Sequence, residues 1–160
     1  MTAAKFNADL TAWFAKNVTK RTLEVQAMVC QEVIIQAVQV TPTGNEKNWK
    51  RAIRNPAYRK PGYVGGHARR NWQINFGTPL RNVLPGVDRG GETIRAAVST
   101  IAGFSSLGRV YITNNVPYIS VIDEGKPGTN PRFKPWSRQA PRGLLRPILD
   151  GVRRKLATIR

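Results

Sequence analysis

The chain has 160 residues, 41% of them apolar and 22% charged, the balance of one folded domain with a real core rather than of a disordered tail. Its 26 Lys and Arg stand against 9 Asp and Glu, a formal charge of +17, so the chain repels itself unless something negative lies nearby: nucleic acid, an anionic surface or acidic partner subunits. The lone Cys30 excludes a disulfide framework and a cysteine-based zinc site, the lone His67 excludes a His-rich metal centre, and no apolar run reaches the ~20 residues of a membrane helix.

Met1 to Lys20 has neither the apolar segment nor the cleavage site of a signal peptide, so the expected product is soluble and intracellular, with no membrane partner. The charge is unevenly spread. Residues 1–40 carry a net +1, 41–85 carry +8, 86–125 carry −1 and 126–160 carry +9. Two basic surfaces, one surface built from both blocks, or a pair of solvated loops would each produce that clustering.

In chain order, Asn7 can cap a helix that begins at Ala8 and runs to Thr41-Pro42, with a break or kink expected in the polar patch Asn17 to Thr22. Leu23, Ala27, Cys30, Ile34 and Val38 share one face, which Val25, Met28, Val29, Val33 and Ile35 widen, so the second half should be covered on most sides. Such a helix carries either plain core or more apolar surface than one small domain covers, and then contacts another subunit. From Thr43 to Gly66 the pattern dissolves into Lys50, Arg51, Arg54, Arg59 and Lys60 among Trp49, Tyr58 and Tyr63, with the turn formers Asn55-Pro56 and Pro61-Gly62. Rings among cations stack on bases or pin a loop to its own domain.

Arg70 to Gly77 alternates, Trp72, Ile74 and Phe76 against Asn71, Gln73 and Asn75, the period of a half-buried strand. Thr78 to Gly86 reads as a loop and Asp88 to Gly91 as a turn. Glu92 to Phe104 reads as a helix with Ile94, Ala97, Val98 and Ile101 inward. Arg109 to Thr113 reads as a strand, Asn114-Asn115 as a turn or bulge, and Tyr118 to Ile122 as a further extended segment. Gly125 to Gly143 is Pro-rich and basic, with Lys126, Arg132, Lys134 and Arg138 as interface or channel candidates beside the cations of the earlier block. Leu145, Leu149, Val152, Leu156 and Ile159 mark a last helix, with Pro147 tolerable only in its first turn. The sum is a single α+β domain over residues 1–160: a small mixed or antiparallel sheet packed with long N-terminal, central and C-terminal helices. Trp72, Ile74, Tyr111, Ile112 and Tyr118 are its expected core.

Motifs for chemistry are sparse. Asp123-Glu124, read as extended, would point to opposite faces and pair with Arg rather than share a proton. Gly62 to Gly66 lacks the Gly-Lys-Ser/Thr ending of a phosphate loop, and Ser105-Ser106 lacks a nucleophile elbow. The expectation is a protein that is not an enzyme, with no cofactor and no metal.

Three blocks carry a resemblance. Gly66-His67-Ala68-Arg69-Arg70-Asn71-Trp72-Gln73-Ile74 is a small-basic-small-basic approach to a Trp strand. Val110-Tyr111-Ile112-Thr113-Asn114-Asn115-Val116-Pro117-Tyr118, then Ile122-Asp123-Glu124-Gly125, is the second, and Ser137-Arg138-Gln139-Ala140-Pro141-Arg142-Gly143-Leu144-Leu145 is the third. Together they resemble the neck and tail-completion proteins of long-tailed bacteriophages, the lambda Z-like minor tail protein group. The chain departs from the family pattern in a basic insertion, residues 45–65, between Thr41-Pro42-Thr43-Gly44 and the Trp strand, and in two acids before Gly125. The resemblance implies a virion protein, assembled in the host cytoplasm, whose copies form a ring, commonly of six. That ring would sit at the head–tail joint between head-connector or stopper proteins and the tail tube or terminator, with DNA on its axis and phosphate contact possible there. A tail terminator ring, or a free basic nucleic-acid-binding protein using the two basic blocks, are the alternative readings. Fold-signature residues carried over are Trp72, Tyr111, Asn114, Asn115, Pro117, Tyr118, Glu124 and Gly125.

Overall fold

The computed structural model of the chain describes residues 2–43, 65–124, 140 and 142–158. The N-terminal helix begins earlier than the sequence suggests. Thr2 caps it, its side chain accepting from Lys5 N, and α1 covers Ala3–Phe14. A π-helical turn, Ala15–Thr19, joins it without a gap to α2, Lys20–Val40. The irregularity thus overlaps the polar patch where a break was expected, and Asn17 Nδ2 donates to Trp13 O at 2.9 Å at its edge, a side-chain bond inside a loosened turn.

Two halves of this long rod meet different surroundings. Every described side chain from Ala4 to Thr22 is exposed, whereas Cys30, Ile34, Ala37 and Val38 of α2 are buried, as their spacing predicts. From Gln26 to Val38 only Gln31 is exposed, so this half is covered on most sides as expected; Val25, at 44% exposed, lies where the cover begins.

A short helix α3, His67–Arg70, comes before the strand, so Arg70 and Asn71 belong to a helical turn rather than to extended chain. β1, Trp72–Phe76, pairs antiparallel with β2, Val110–Asn114, in the register Trp72 to Asn114 and Ile74 to Ile112. Between them α4, Glu92–Ala102, packs on α2 and β1 through Thr93, Ala97 and Ile101, while Val98, expected inward, is exposed. Tyr118 to Ile122 is not extended. Tyr118 ends a turn at 37% exposure, and α5, Ile119–Glu124, follows. Tyr111 and Ile112 are half-buried, so of the expected aromatic core only Trp72 is enclosed.

α6, Leu145–Ala157, has Pro147 in its first turn, where a missing N–H costs nothing, and lies along α2. It buries Leu144, Ile148 and Val152, not Leu145 and Leu149, which are 55% and 50% exposed; Ile159 lies outside the described residues. Gly151 is buried on the same side, where a Cβ would meet the end of the Gln36 side chain. One hydrophobic core results, from Ile34 and Val38 through Trp72, Ile74, Ala97 and Ile101 to Ile122, Leu144 and Ile148. The architecture is α+β, a small antiparallel sheet among helices. Among the described residues no helix is long and apolar enough to cross a membrane.

Candidate functional site

The cationic candidates Lys50, Arg51, Arg54, Arg59, Lys60, Lys126, Arg132, Lys134 and Arg138, together with Gly125 and most of the insertion, lie outside the described residues. The other signature residues are placed, and two of them, Trp72 and Asn114, belong to a bonded assembly around the sheet.

Thr41 is its hub. Wholly buried at the end of α2, its hydroxyl donates to Ala37 O at 2.6 Å and accepts from Trp72 Nε1 at 2.8 Å, and its carbonyl accepts from Arg69 Nε at 2.6 Å. The basic approach and the Trp strand are thereby fastened to the first helix directly across the ends of the insertion. Trp72 stands opposite Asn114 in the sheet. Asn114 Nδ2 donates to Ala68 O at 2.8 Å, while Asn114 Oδ1 accepts from Val116 N at 3.4 Å, the bond to its own main chain that suits Asn at a strand end. Its backbone is not left-handed; among the described residues every positive φ belongs to glycine.

Gln73 of β1 and Asn71 just before it are buried, against expectation, because their amides serve the loop that follows. Asn71 donates to Leu84 O at 3.1 Å and accepts from Leu84 N at 2.7 Å. Gln73 donates to Asn82 O at 2.8 Å, Asn75 to Thr78 O at 2.8 Å, and Asn115 to Leu80 O at 2.9 Å. His67 Nδ1 donates to Gly86 O at 2.8 Å, so the ring anchors the loop's far end. Side-chain amides replace a third strand here, meeting the rule that buried main-chain carbonyls find donors.

Asp123 lies in α5 rather than in an extended segment, and among the described residues it makes no ion pair with an arginine. Its Oδ1 accepts from Leu144 N at 2.9 Å and Leu145 N at 2.8 Å, capping α6 from a distant part of the chain. Gly143, at φ +74°, makes this possible, since a Cβ there would run into the Asp123 carbonyl. Glu124 is exposed and Pro117 sits in the turn before α5. Asp88 does similar work at α4, where its carboxylate accepts from Gly91 N at 2.8 Å and Thr93 N at 2.9 Å. Burial pushes its pKa up, but the side chains of Glu92 and Thr93 and the amides of Thr93 and Gly91 outweigh that and hold it well below the usual carboxylate range.

A cavity of about 140 Å³ opens between β1, α4 and the amide-bound loop, lined by Arg70, Gln73, Leu80, Leu84 and Thr93 among others. That is below the roughly 300 Å³ at which small-molecule pockets begin. Among the described residues no three His, Cys, Asp or Glu side chains are grouped to hold a metal ion. Cys30 is buried, and burial raises its thiol pKa, which disfavours the reactive thiolate. Described ion pairs are exposed ones, Glu92 with Arg95 at 3.9 Å and Asp150 with Arg153 at 3.8 Å. Thr41, Gln73, Asp88, Asp123 and Gly151 were not singled out as structural anchors by pattern reading; the Thr-Pro at a helix end and the acid one residue before Glu124-Gly125 were the visible signals. No family model, curated protein or solved structure matches the chain.

Proposed function

We propose that this chain is a structural virion protein that forms a ring at the head–tail joint of a tailed phage, completing the tail and joining it to the head around the DNA channel. The observation that carries the reading is that the three blocks of the resemblance, far apart in sequence, bond to one another. Asn114 of the second block holds Ala68 of the first and pairs opposite Trp72, and Asp123 of the second caps the helix that the third leads into. A shared fold would account for these contacts.

In this reading the domain works through protein interfaces, and its basic blocks meet acidic faces of neighbouring rings. A channel that passes DNA quickly is poorly served by tight phosphate binding, whereas opposite charge between stacked rings steers docking and fixes partners. Reversing Arg132, Lys134 and Arg138 to Glu tests it. In this reading the three cations serve docking and not the core, so the purified variant should stay folded while electron microscopy shows heads and tails unjoined. Normal necks with poor genome retention would place these cations at the DNA instead. Normal particles, with the wild-type chain binding duplex DNA along a steep salt slope, would overturn the reading in favour of a free nucleic-acid-binding protein.

A further inference from the structure

Of the two arginines that approach the Trp strand, one is employed in the fold and the other is not. Arg69 donates to Thr41 O, whereas the guanidinium of Arg70, half-buried beside it, has no hydrogen bond or ion pair among the described residues. Arg70 lines the cavity between β1, α4 and the amide-bound loop. Taking a cation partly out of water without an acceptor is unfavourable, so its place at a cavity points to an anion that completes it. The acids beside the lining residue Thr93 are already committed. Asp88 accepts from Gly91 N and Thr93 N, and Glu92 accepts from Arg89 N and Gly90 N and pairs with Arg95.

Most of the remaining lining is apolar. Ile74, Leu80, Leu84 and Ala97 form walls, and Ala96 and Thr100, both exposed, stand where the cavity meets solvent. The two leucine walls are preformed. Leu80 O accepts from Asn115 Nδ2 at 2.9 Å, and Leu84 is bonded through both its N and its O to Asn71, so the loop needs little ordering when a group enters. An apolar cavity of about 150 Å³ holds a group the size of benzene. The 140 Å³ here is therefore room for one leucine-sized side chain and little more.

We propose that this cavity is a docking site for an acidic segment of a partner protein, which seats one apolar side chain between the loop and α4 and sets a carboxylate on Arg70. The combination selects a protein segment. A carboxylate matches the planar guanidinium with paired hydrogen bonds, and an aliphatic side chain next to it in sequence fills the walls. A nucleic acid would meet Arg70 with phosphate, but would have only a base with polar edges to set against Ile74 and Leu84. The site does not depend on the ring reading, which is tested on Arg132, Lys134 and Arg138, so either can fail without the other.

Blocked tripeptides titrated into the isotope-labelled full-length chain, followed by NMR, are the test. Acetyl-Asp-Leu-Asp-amide should shift the backbone amides of Gln73, Leu84 and Ala97 saturably, with a Kd of about 1 mM for so small a ligand. Acetyl-Asn-Leu-Asn-amide, which lacks the charge, and acetyl-Asp-Ala-Asp-amide, which lacks the side chain, should each bind about tenfold more weakly. Arg70→Gln should bring Asp-Leu-Asp down to the level of Asn-Leu-Asn and leave the latter unchanged. That readout is local, because general attraction to a chain with 26 Lys and Arg survives the loss of one. Ala96→Phe, at an exposed position, should block every peptide with the melting temperature retained. No saturable shift at about ten times the expected Kd would overturn the proposal, as would equal binding of the Leu and Ala peptides, an Asp-Leu-Asp affinity indifferent to Arg70→Gln, or binding that persists in Ala96→Phe. A thymidine oligonucleotide that shifts the same amides at lower concentration than the peptide, and loses that in Arg70→Gln, would assign the arginine to phosphate and overturn it equally.

Discussion

Replacing Thr41 by Val keeps the shape of a wholly buried side chain and removes its hydroxyl, which links the first helix to the Trp strand. Ala37 O keeps a donor, because Thr41 N also bonds it at 3.1 Å. Trp72 Nε1 does not: the indole N–H, on a side chain only 9% exposed, loses its acceptor at 2.8 Å. Leaving one buried donor unpaired costs about 1 to 3 kcal/mol, and the added methyl surface recovers little of that in an already packed site, so a net loss of about 2 kcal/mol is expected. Urea unfolding should show a lower midpoint with an unchanged slope. Thr41→Ser, which retains the hydroxyl and drops a methyl, should lose only about 1 kcal/mol. In a Trp72→Phe background, where there is no N–H to orphan, Thr41→Val should cost markedly less than it does in the wild type. If Ser proves worse than Val, or the two backgrounds give equal losses, Thr41 contributes by packing and the hydrogen-bond reasoning fails.

Gly143→Ala forces a side chain into a left-handed backbone and against the Asp123 carbonyl, so it should cost about 3 kcal/mol or abolish folding, read by thermal melting, whereas Ala at the open, solvent-facing Gly90 should be nearly silent. Asp88, whose pKa is held below its unfolded value of about 3.9, supports the fold above that pH and loses its contribution as pH falls through the lowered value. Asp88→Asn should therefore destabilise at neutral pH and flatten the stability loss below about pH 4; stability curves of the two proteins that stay parallel into acid would refute it. Substituting residues 45–64 by a short Gly-Ser linker should leave the melting temperature within a few degrees, since Arg69 and Trp72 already hold Thr41 across the gap; a chain that no longer folds would show that the segment belongs to the core.

The long helix and the pair of strands were legible because their apolar periods are long or regular enough to decide the geometry. Cys30, Ile34 and Val38 repeat at helical spacing, and Trp72 with Ile74 alternates. The misreadings have identifiable physical causes. Ile119 to Ile122 is rich in β-branched residues and too short for period to discriminate, so propensity suggested strand, while tertiary placement of Asp123 under α6 demands a helical turn. In α6 Leu145 and Leu149 are about as hydrophobic as Ile148, so hydrophobicity alone does not choose which side faces α2, and Gly151, buried on that side, carries no hydrophobic signal. Burial of Asn71 and Gln73 was invisible because alternation says which residues are polar and not whether another main chain will come to meet them. In the candidate site, the motif residues Trp72 and Asn114 were recognised, while the hub that joins them, Thr41, was seen only as a helix end.

The loop over residues 78–84 is held by its main chain. Asn71, Gln73, Asn75 and Asn115 grip carbonyls, which every amino acid carries, while Arg81, Asn82 and Val83 turn their side chains to solvent. The loop's conformation is thus written in the strands beneath it and its surface chemistry in its own residues, two instructions kept on separate stretches of chain. Such a segment behaves as an interchangeable facing: its exposed positions can be rewritten to suit a different neighbour without renegotiating the fold, whereas a single Asp at position 71 or 73 would set a carboxylate against the carbonyl it replaced a donor for and release the whole strip.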